Sequence, residues 1–234
     1  MRAAAGPGHR GRMSLHAALT RSFRDALTFW LPVSCAGCGV VDSDLCRGCR
    51  DALNTRRIRR PIQPGLSVTS VLVFEGVAAR VIRAIKEEGR TSLARELAPA
   101  LDELLRLSVA AGAVLTTVPG TRAAFRRRGF RPLDVLMRRA GWRHERLLRV
   151  ARATDDQRGL GRRARRENVG GAFVSRPIAG GTVVVLDDVV TTGATLAEAA
   201  RALRAAGADE VVAVALADTP RRRSFEGESR VIET

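Results

Sequence analysis

The chain alternates short apolar runs with longer segments in which apolar residues recur every three or four positions. Runs rich in Val, Leu and Ala at residues 68–74, 113–118, 183–186 and 211–217 read as strands buried on both faces, the pattern of a parallel sheet. Shorter runs at 147–150 and 172–174 read as lesser strands. Residues 77–87, 91–107, 133–140 and 196–206 carry helical periodicity between them. Strands alternating with helices predict an α/β fold with a parallel sheet flanked by helices. Ahead of it, Leu15, Leu19, Phe23, Ala26, Leu27 and Trp30 form one face of an amphipathic helix over residues 15–30, expected to pack on the module that follows.

Where the periodicity lapses, the chain divides. Residues 1–12 read as a disordered tail, and residues 54–64 as a basic, proline-bounded linker. Residues 152–171 are rich in Arg and Gly and lack a core pattern; so long a loop inside a compact domain is either functional or disordered. The expected organisation is a tail (1–12), a helix with a cysteine module (13–60), an α/β domain (61–219) and a charged tail (220–234).

One stretch combines the strand pattern with chemistry. The strand at 183–186 runs into Asp187, Asp188, Val189 and Val190, then into Thr191, Thr192, Gly193, Ala194 and Thr195, and a helix follows. In open α/β sheets, ligands bind beyond the carboxyl ends of the strands. A turn of Gly and Thr opening a helix can aim N–H groups and hydroxyls at a phosphate, aided by the helix dipole. Two carboxylates beside it would repel that phosphate but suit ribose hydroxyls or the shell of a magnesium ion. An anion cradle beside diol acceptors describes a ribose 5-phosphate site.

The four cysteines fall into two Cys-x-x-Cys pairs, Cys35/Cys38 and Cys46/Cys49, separated by seven residues. Gly37 and Gly48 permit the tight turns that let each pair grip one ion. Four thiolates make a closed, structural zinc site, with an iron–sulfur cluster as the competing occupant. The three histidines, at 9, 16 and 144, have no metal or triad spacing.

Charge sharpens the choice of ligand. The formal net charge is +16, and only one of the 40 basic residues, Lys86, is lysine. Such a chain favours polyanions: phosphate-rich small molecules, nucleic acid or an acidic partner. It contains no Tyr with which to build a base-stacking platform. No apolar run approaches the roughly 20 residues of a membrane span, and the first residues lack a signal peptide's apolar core. A cytoplasmic location is expected.

Residues 183–195 resemble the phosphoribosyl pyrophosphate (PRPP) signature of type I phosphoribosyltransferases at all thirteen positions. With the cysteine pairs ahead of it, the chain from about residue 31 to 217 resembles the ComF family, phosphoribosyltransferase-like proteins linked to competence and DNA uptake. The same resemblance runs through Phe74, Gly76, Ile82, Ile85, Lys86 and Gly89, and through Val118-Pro119 with Arg126, Arg128, Gly129 and Phe130. It continues through Arg152, Thr154, Gln157 and Leu160, then Arg165 or Arg166, Asn168, and Gly171-Ala172-Phe173. Where the family often has Pro and His after the Val-Pro pair, Gly120 and Thr121 stand here, and Arg131-Pro132 replaces its usual Asn-Gln.

This resemblance implies a type I phosphoribosyltransferase-like sheet with a small N-terminal four-cysteine zinc module. It implies that PRPP binds with magnesium and that pyrophosphate on C1 is exchanged for a nitrogen base. Asp187 and Asp188 would hold the ribose hydroxyls, and residues 191–195 the 5-phosphate. Val118, Pro119, Gly120, Thr121 and Arg122 would meet the diphosphate. Arg152, Gln157, Arg165, Arg166 and Asn168 would belong to a flap that closes over the reaction. Three functions fit: a transferase, a PRPP or nucleotide sensor without turnover, and a competence protein that handles single-stranded DNA.

Overall fold

The computed structural model describes residues 33–151 and 171–220. The strands are β1 (Ile58–Gln63), β2 (Leu66–Val73), β3 (Val114–Thr117), β4 (Leu148–Val150), β5 (Phe173–Ser175), β6 (Thr182–Val190) and β7 (Glu210–Asp218). The helices are α1 (Arg47–Asp51), α2 (Gly76–Glu87), α3 (Ala94–Ser108), α4 (Arg122–Arg128), α5 (Pro132–Arg139) and α6 (Ala194–Ala205), with a 3-10 turn at Thr91–Leu93 leading into α3. Five strands form one sheet in the order β1–β2–β7–β6–β3. Pairing is parallel from β2 to β3, and β1 is an antiparallel edge. A separate antiparallel pair joins β4 to β5.

The side chains of β6 show why both faces need covering. Val184 and Leu186 enter a core with Val81 and Ile85 of α2, Leu97, Leu101 and Leu104 of α3, and Leu136 and Met137 of α5. Val183 and Val185 point the other way, into a core with Leu196, Ala199, Ala200 and Leu203 of α6. That two-residue alternation places helices on both sides of the sheet. Among the described residues, no helix is long and apolar enough to cross a membrane.

The cysteine segment is built onto the first core. Cys35, Leu45 and Cys49 are buried in it, Arg90 donates to the carbonyls of Ser34 (2.7 Å) and Asp44 (3.2 Å), and Arg50 donates to Glu96 on α3.

Three local features depart from the sequence reading. The linker read at 54–64 contains strand β1, whose Ile58-Arg-Arg-Pro-Ile-Gln63 pattern is too charged to look like a strand. Pro61 is tolerated because an edge strand leaves one row of backbone groups unpaired. The strand read at 183–186 extends to Val190, since Val189 and Val190 pair with Ala217 and Asp218 of β7. The two carboxylates therefore lie inside β6, not after it. Helix α4 occupies residues with no apolar stripe; it buries nothing and is held by its ends, Thr121 as N-cap and Gly129 as left-handed C-cap. The helix read at 15–30, the loop residues Arg152, Gln157, Arg165, Arg166 and Asn168, and the tail beyond 220 lie outside the described residues.

Candidate functional site

Asp187 and Asp188 are exposed to a ligand by unequal strand lengths. On one side β7 pairs with β6 as far as Val190. On the other, β3 stops with Thr117 opposite Leu186, and one more bond, from Val118 N–H to the Leu186 carbonyl (2.9 Å), ends the contact. The chain then turns away, leaving a cleft between the acid pair and the residues after β3. The cleft brings Val118, Pro119, Gly120 and Thr121 together with Asp187 and Asp188. Arg122 is not in its wall; Arg128 and Arg131 are, the latter 5.6 Å from the centre of the Phe125 ring.

The two carboxylates have different surroundings. Asp188 accepts a hydrogen bond from Lys86 Nζ of α2 at 2.8 Å, so the chain's one lysine serves the acid pair. Only the helix period, which puts Lys86 next to the buried face of α2, could have pointed to this contact from sequence. Asp187 accepts from the Asp188 backbone N–H at 2.8 Å. Burial of its carboxyl, reinforced by the Asp188 charge, pushes Asp187 up to about 7, against the opposing pull of Lys86 and of that N–H. Enclosure by protein governs this carboxyl even though the residue keeps some exposed surface. A carboxyl such as Asp187, which holds its proton near neutrality, can donate as well as accept a hydrogen bond to a diol.

The loop of residues 191–195 leaves the same strand and is held from behind. Gly193 has φ +86°, and a Cβ there would lie 2.4 Å from Cγ2 of Ile62, so both conformation and space exclude other residues. The Thr191 carbonyl accepts from Arg60 Nη2 at 2.7 Å. The Thr192 hydroxyl accepts from Ala194 N–H at 3.3 Å, and α6 starts at Ala194 with its positive end toward the loop. These residues do not line the cleft with Pro119 and Gly120; the acid pair stands between the two loops. Arg60 and Ile62, on the unforeseen strand β1, were not legible as site residues.

The sulfur atoms of Cys35, Cys38, Cys46 and Cys49 all lie within 4.8 Å of one another, with Cys38 and Cys46 at 3.7 Å. Tetrahedral zinc–thiolate bonds of about 2.3 Å require sulfurs about 3.8 Å apart, so the cluster fits one such ion. A Cβ on Gly37 would lie 2.4 Å from Cys49 Sγ, which explains glycine there. Burial opposes ionisation of Cys35, but the N–H groups of Cys46, Cys38 and Gly37 outweigh it and bring the thiol down to about 6. Burial and the surrounding thiols push Cys49 up to about 12. Four thiols this close cannot all ionise without a cation among them.

Residues 125–232 match the phosphoribosyl transferase domain model, in keeping with a largely parallel sheet and a crevice at its carboxyl edge. The DNA utilization protein YhgH of Escherichia coli O157:H7 is 31% identical over 198 residues, covering 76% of this chain and 85% of YhgH. YhgH of Salmonella typhi is 32% identical over 168 residues, covering 67% and 73%. The chain belongs to the ComF family, as these relatives do. Among solved structures, a hypoxanthine phosphoribosyltransferase from Staphylococcus aureus shows 16% identity and a TM-score of 0.34, covering 60% of this chain and 71% of that one, a likeness too slight to argue from.

Proposed function

We propose that the protein binds PRPP with magnesium and transfers its phosphoribosyl group to a nitrogen base. The acid pair between two loops carries this reading. Asp187 and Asp188 take the ribose hydroxyls, residues 191–195 take the 5-phosphate, and residues 118–122 face the diphosphate that leaves. Fixing C1 between these anchors and keeping water away is most of what such a displacement needs, because the positive charge that builds on the sugar is met by groups already in place. Zinc held by the four cysteines serves as a structural ion that ties residues 35–49 to helices α2 and α3.

The test is calorimetric titration of the full chain with PRPP and magnesium, followed by turnover assays with purine and pyrimidine bases. Saturable PRPP binding that needs magnesium, with pyrophosphate released when a base is added, is the expected result. PRPP binding without release under every base would leave a sensor, and no PRPP binding would overturn the reading. Elemental analysis should find about one zinc per chain, as one closed four-cysteine site requires; iron in its place would overturn the zinc assignment.

A second reading has one support: the relatives carry the name DNA utilization protein, and the chain has a net charge of +16. It takes the protein as part of DNA uptake, holding single strands through its basic surface. Affinity for an oligonucleotide that falls steeply with salt would support it, and it is compatible with PRPP binding.

A further inference from the structure

The acid pair and the glycine loop explain each other, but neither explains Arg60. This arginine lies on β1 with 5% of its surface exposed and donates to Asp218, at the end of β7, through Nε at 2.6 Å and Nη2 at 2.9 Å. Nη2 also reaches the Thr191 carbonyl. Asp218 is equally buried and pairs in the sheet with Val190, the last residue before the loop. Arg60 Nη1 is buried with no partner among the described residues. A buried ion pair is weak evidence of stability, because desolvating both charges offsets their attraction, and an unpartnered donor adds to that cost. A purely structural contact at this place would be served as well by apolar side chains.

The neighbouring residue shows the same bias toward the loop. The register of β1 against β2 slips between Pro61 and Gln63, so Ile62 is the extra residue of a bulge. Bulges re-aim side chains and are frequent beside functional sites. Here the bulge sets Ile62 against Gly193, filling the space that a Cβ would need. Two consecutive inward residues of one edge strand thus touch the two ends of a single turn.

We infer that β1 is the template of the phosphate loop, with Arg60 and Ile62 as positioning residues that fix its shape from behind. Arg60 turns the Thr191 carbonyl inward, away from the ligand, and so leaves the N–H side of the turn facing outward. Ile62 holds Gly193 in its left-handed conformation. An anion at the loop then meets donors already aligned and does not have to repel a carbonyl dipole. The inference rests on reading residues 191–195 as the 5-phosphate cradle.

The experiment compares two probes that divide the ligand: ribose 5-phosphate, and inorganic pyrophosphate with magnesium. Calorimetry is run on the full chain as wild type, as Arg60→Met/Asp218→Leu, which removes both buried charges together, and as Ile62→Ala. The double variant is expected to keep its fold and to bind ribose 5-phosphate about tenfold or more weaker, with pyrophosphate within about twofold of wild type. Ile62→Ala is expected to lose about threefold for ribose 5-phosphate alone. Should the double variant fail to fold, Arg60→Lys keeps the charge but loses the fork to Asp218 and Thr191, and the same one-sided loss is expected. A folded variant that binds ribose 5-phosphate like wild type overturns the inference, and so does an equal loss of both probes. Wild type that binds pyrophosphate but not ribose 5-phosphate overturns the cradle reading itself.

Discussion

The two loops that flank the acid pair are built on opposite plans. The loop after β6 is braced: its first carbonyl is tied to Arg60, its glycine is packed against Ile62, and a helix of twelve residues with a buried face begins at its end. The loop after β3 is free on most sides. Gly120 has nothing within 4 Å of a would-be Cβ, and the seven-residue helix that follows buries no residue. In the proposed reaction the 5-phosphate stays bound throughout, whereas the diphosphate must be gripped and then released. A rigid cradle at one end and a compliant one at the other suit those two tasks. Rigidity is here a property of what lies behind a loop, not of its own residues.

The largest expected effect falls on the element the loops share. Asp187→Asn/Asp188→Asn is nearly isosteric, so the fold should persist. Hydrogen bonds to charged groups contribute about 1.5–3 kcal/mol each, so losing two should weaken PRPP binding about a hundredfold or more. Calorimetry with ribose 5-phosphate and with pyrophosphate separately should assign most of that loss to the sugar. Unchanged or tighter binding would mean that the carboxylates merely repel phosphate, and the acid pair would no longer link the loops.

Next in size is a pair of glycine substitutions. Gly193→Ala meets both a left-handed φ and the Ile62 side chain, and should cost about 3 kcal/mol in thermal or denaturant unfolding. Gly120→Ala meets neither and should stay within about 0.5 kcal/mol of wild type. Similar costs at the two positions would erase the distinction between braced and free loops.

How far the sequence revealed these regions follows from the same physics. The parallel strands were legible because valine-rich runs buried on two faces are unmistakable, and the helix after Gly193 because its apolar positions recur in register. The carboxylates, the loop residues and the cysteines were legible because their chemistry is local in sequence. Strand β1 was not, since an edge strand can carry the exposed Arg59 and Pro61 without penalty, and Arg60 is buried only through its pairing with Asp218, which lies far away in sequence; its signal was the Pro64-Gly65 turn before the β-rich run of β2. Arg122, expected beside the diphosphate, does not line the cleft, whereas Arg128 of α4 does. The capping signals at Thr121 and Gly129 were present and would have located that helix.

A smaller effect should appear in the pH dependence of stability. Asp187 holds its proton more tightly folded than unfolded, being raised from 3.8 to about 7. Between those values the folded state binds more protons than the unfolded one. Stability therefore falls as pH rises through the window from about 4 to about 7 and stays lowered above it. Asp187→Asn removes this penalty and should be more stable than wild type at pH 8, with the gap closing toward pH 4. Thermal melts at several pH values give the gap directly. A gap that does not change with pH would place the Asp187 carboxyl in contact with solvent.

The smallest effect is the most direct test of bracing, because it sets a threonine hydroxyl that accepts from a backbone N–H in each loop side by side. The Thr121 hydroxyl accepts from Ala124 N–H at 3.1 Å, and the Thr192 hydroxyl from Ala194 N–H at 3.3 Å. Thr121 is the N-cap of α4, whereas Thr192 precedes Gly193, the N-cap of α6; removing an N-cap hydroxyl costs about 1 kcal/mol, which is a factor of about five in a local opening equilibrium. In Thr121→Ala no other side-chain hydrogen bond among the described residues holds the start of α4, so amide exchange at Ala124 should rise by about that factor. In Thr192→Ala the turn keeps its bond to Arg60 and its packing on Ile62, so exchange at Ala194 should rise by less than about twofold. Adding Arg60→Met/Asp218→Leu to Thr192→Ala should then bring Ala194 to the sensitivity of Ala124. If Ala194 responds as strongly as Ala124 with Arg60 intact, the loop after β6 owes its shape to its own residues and β1 contributes nothing to it.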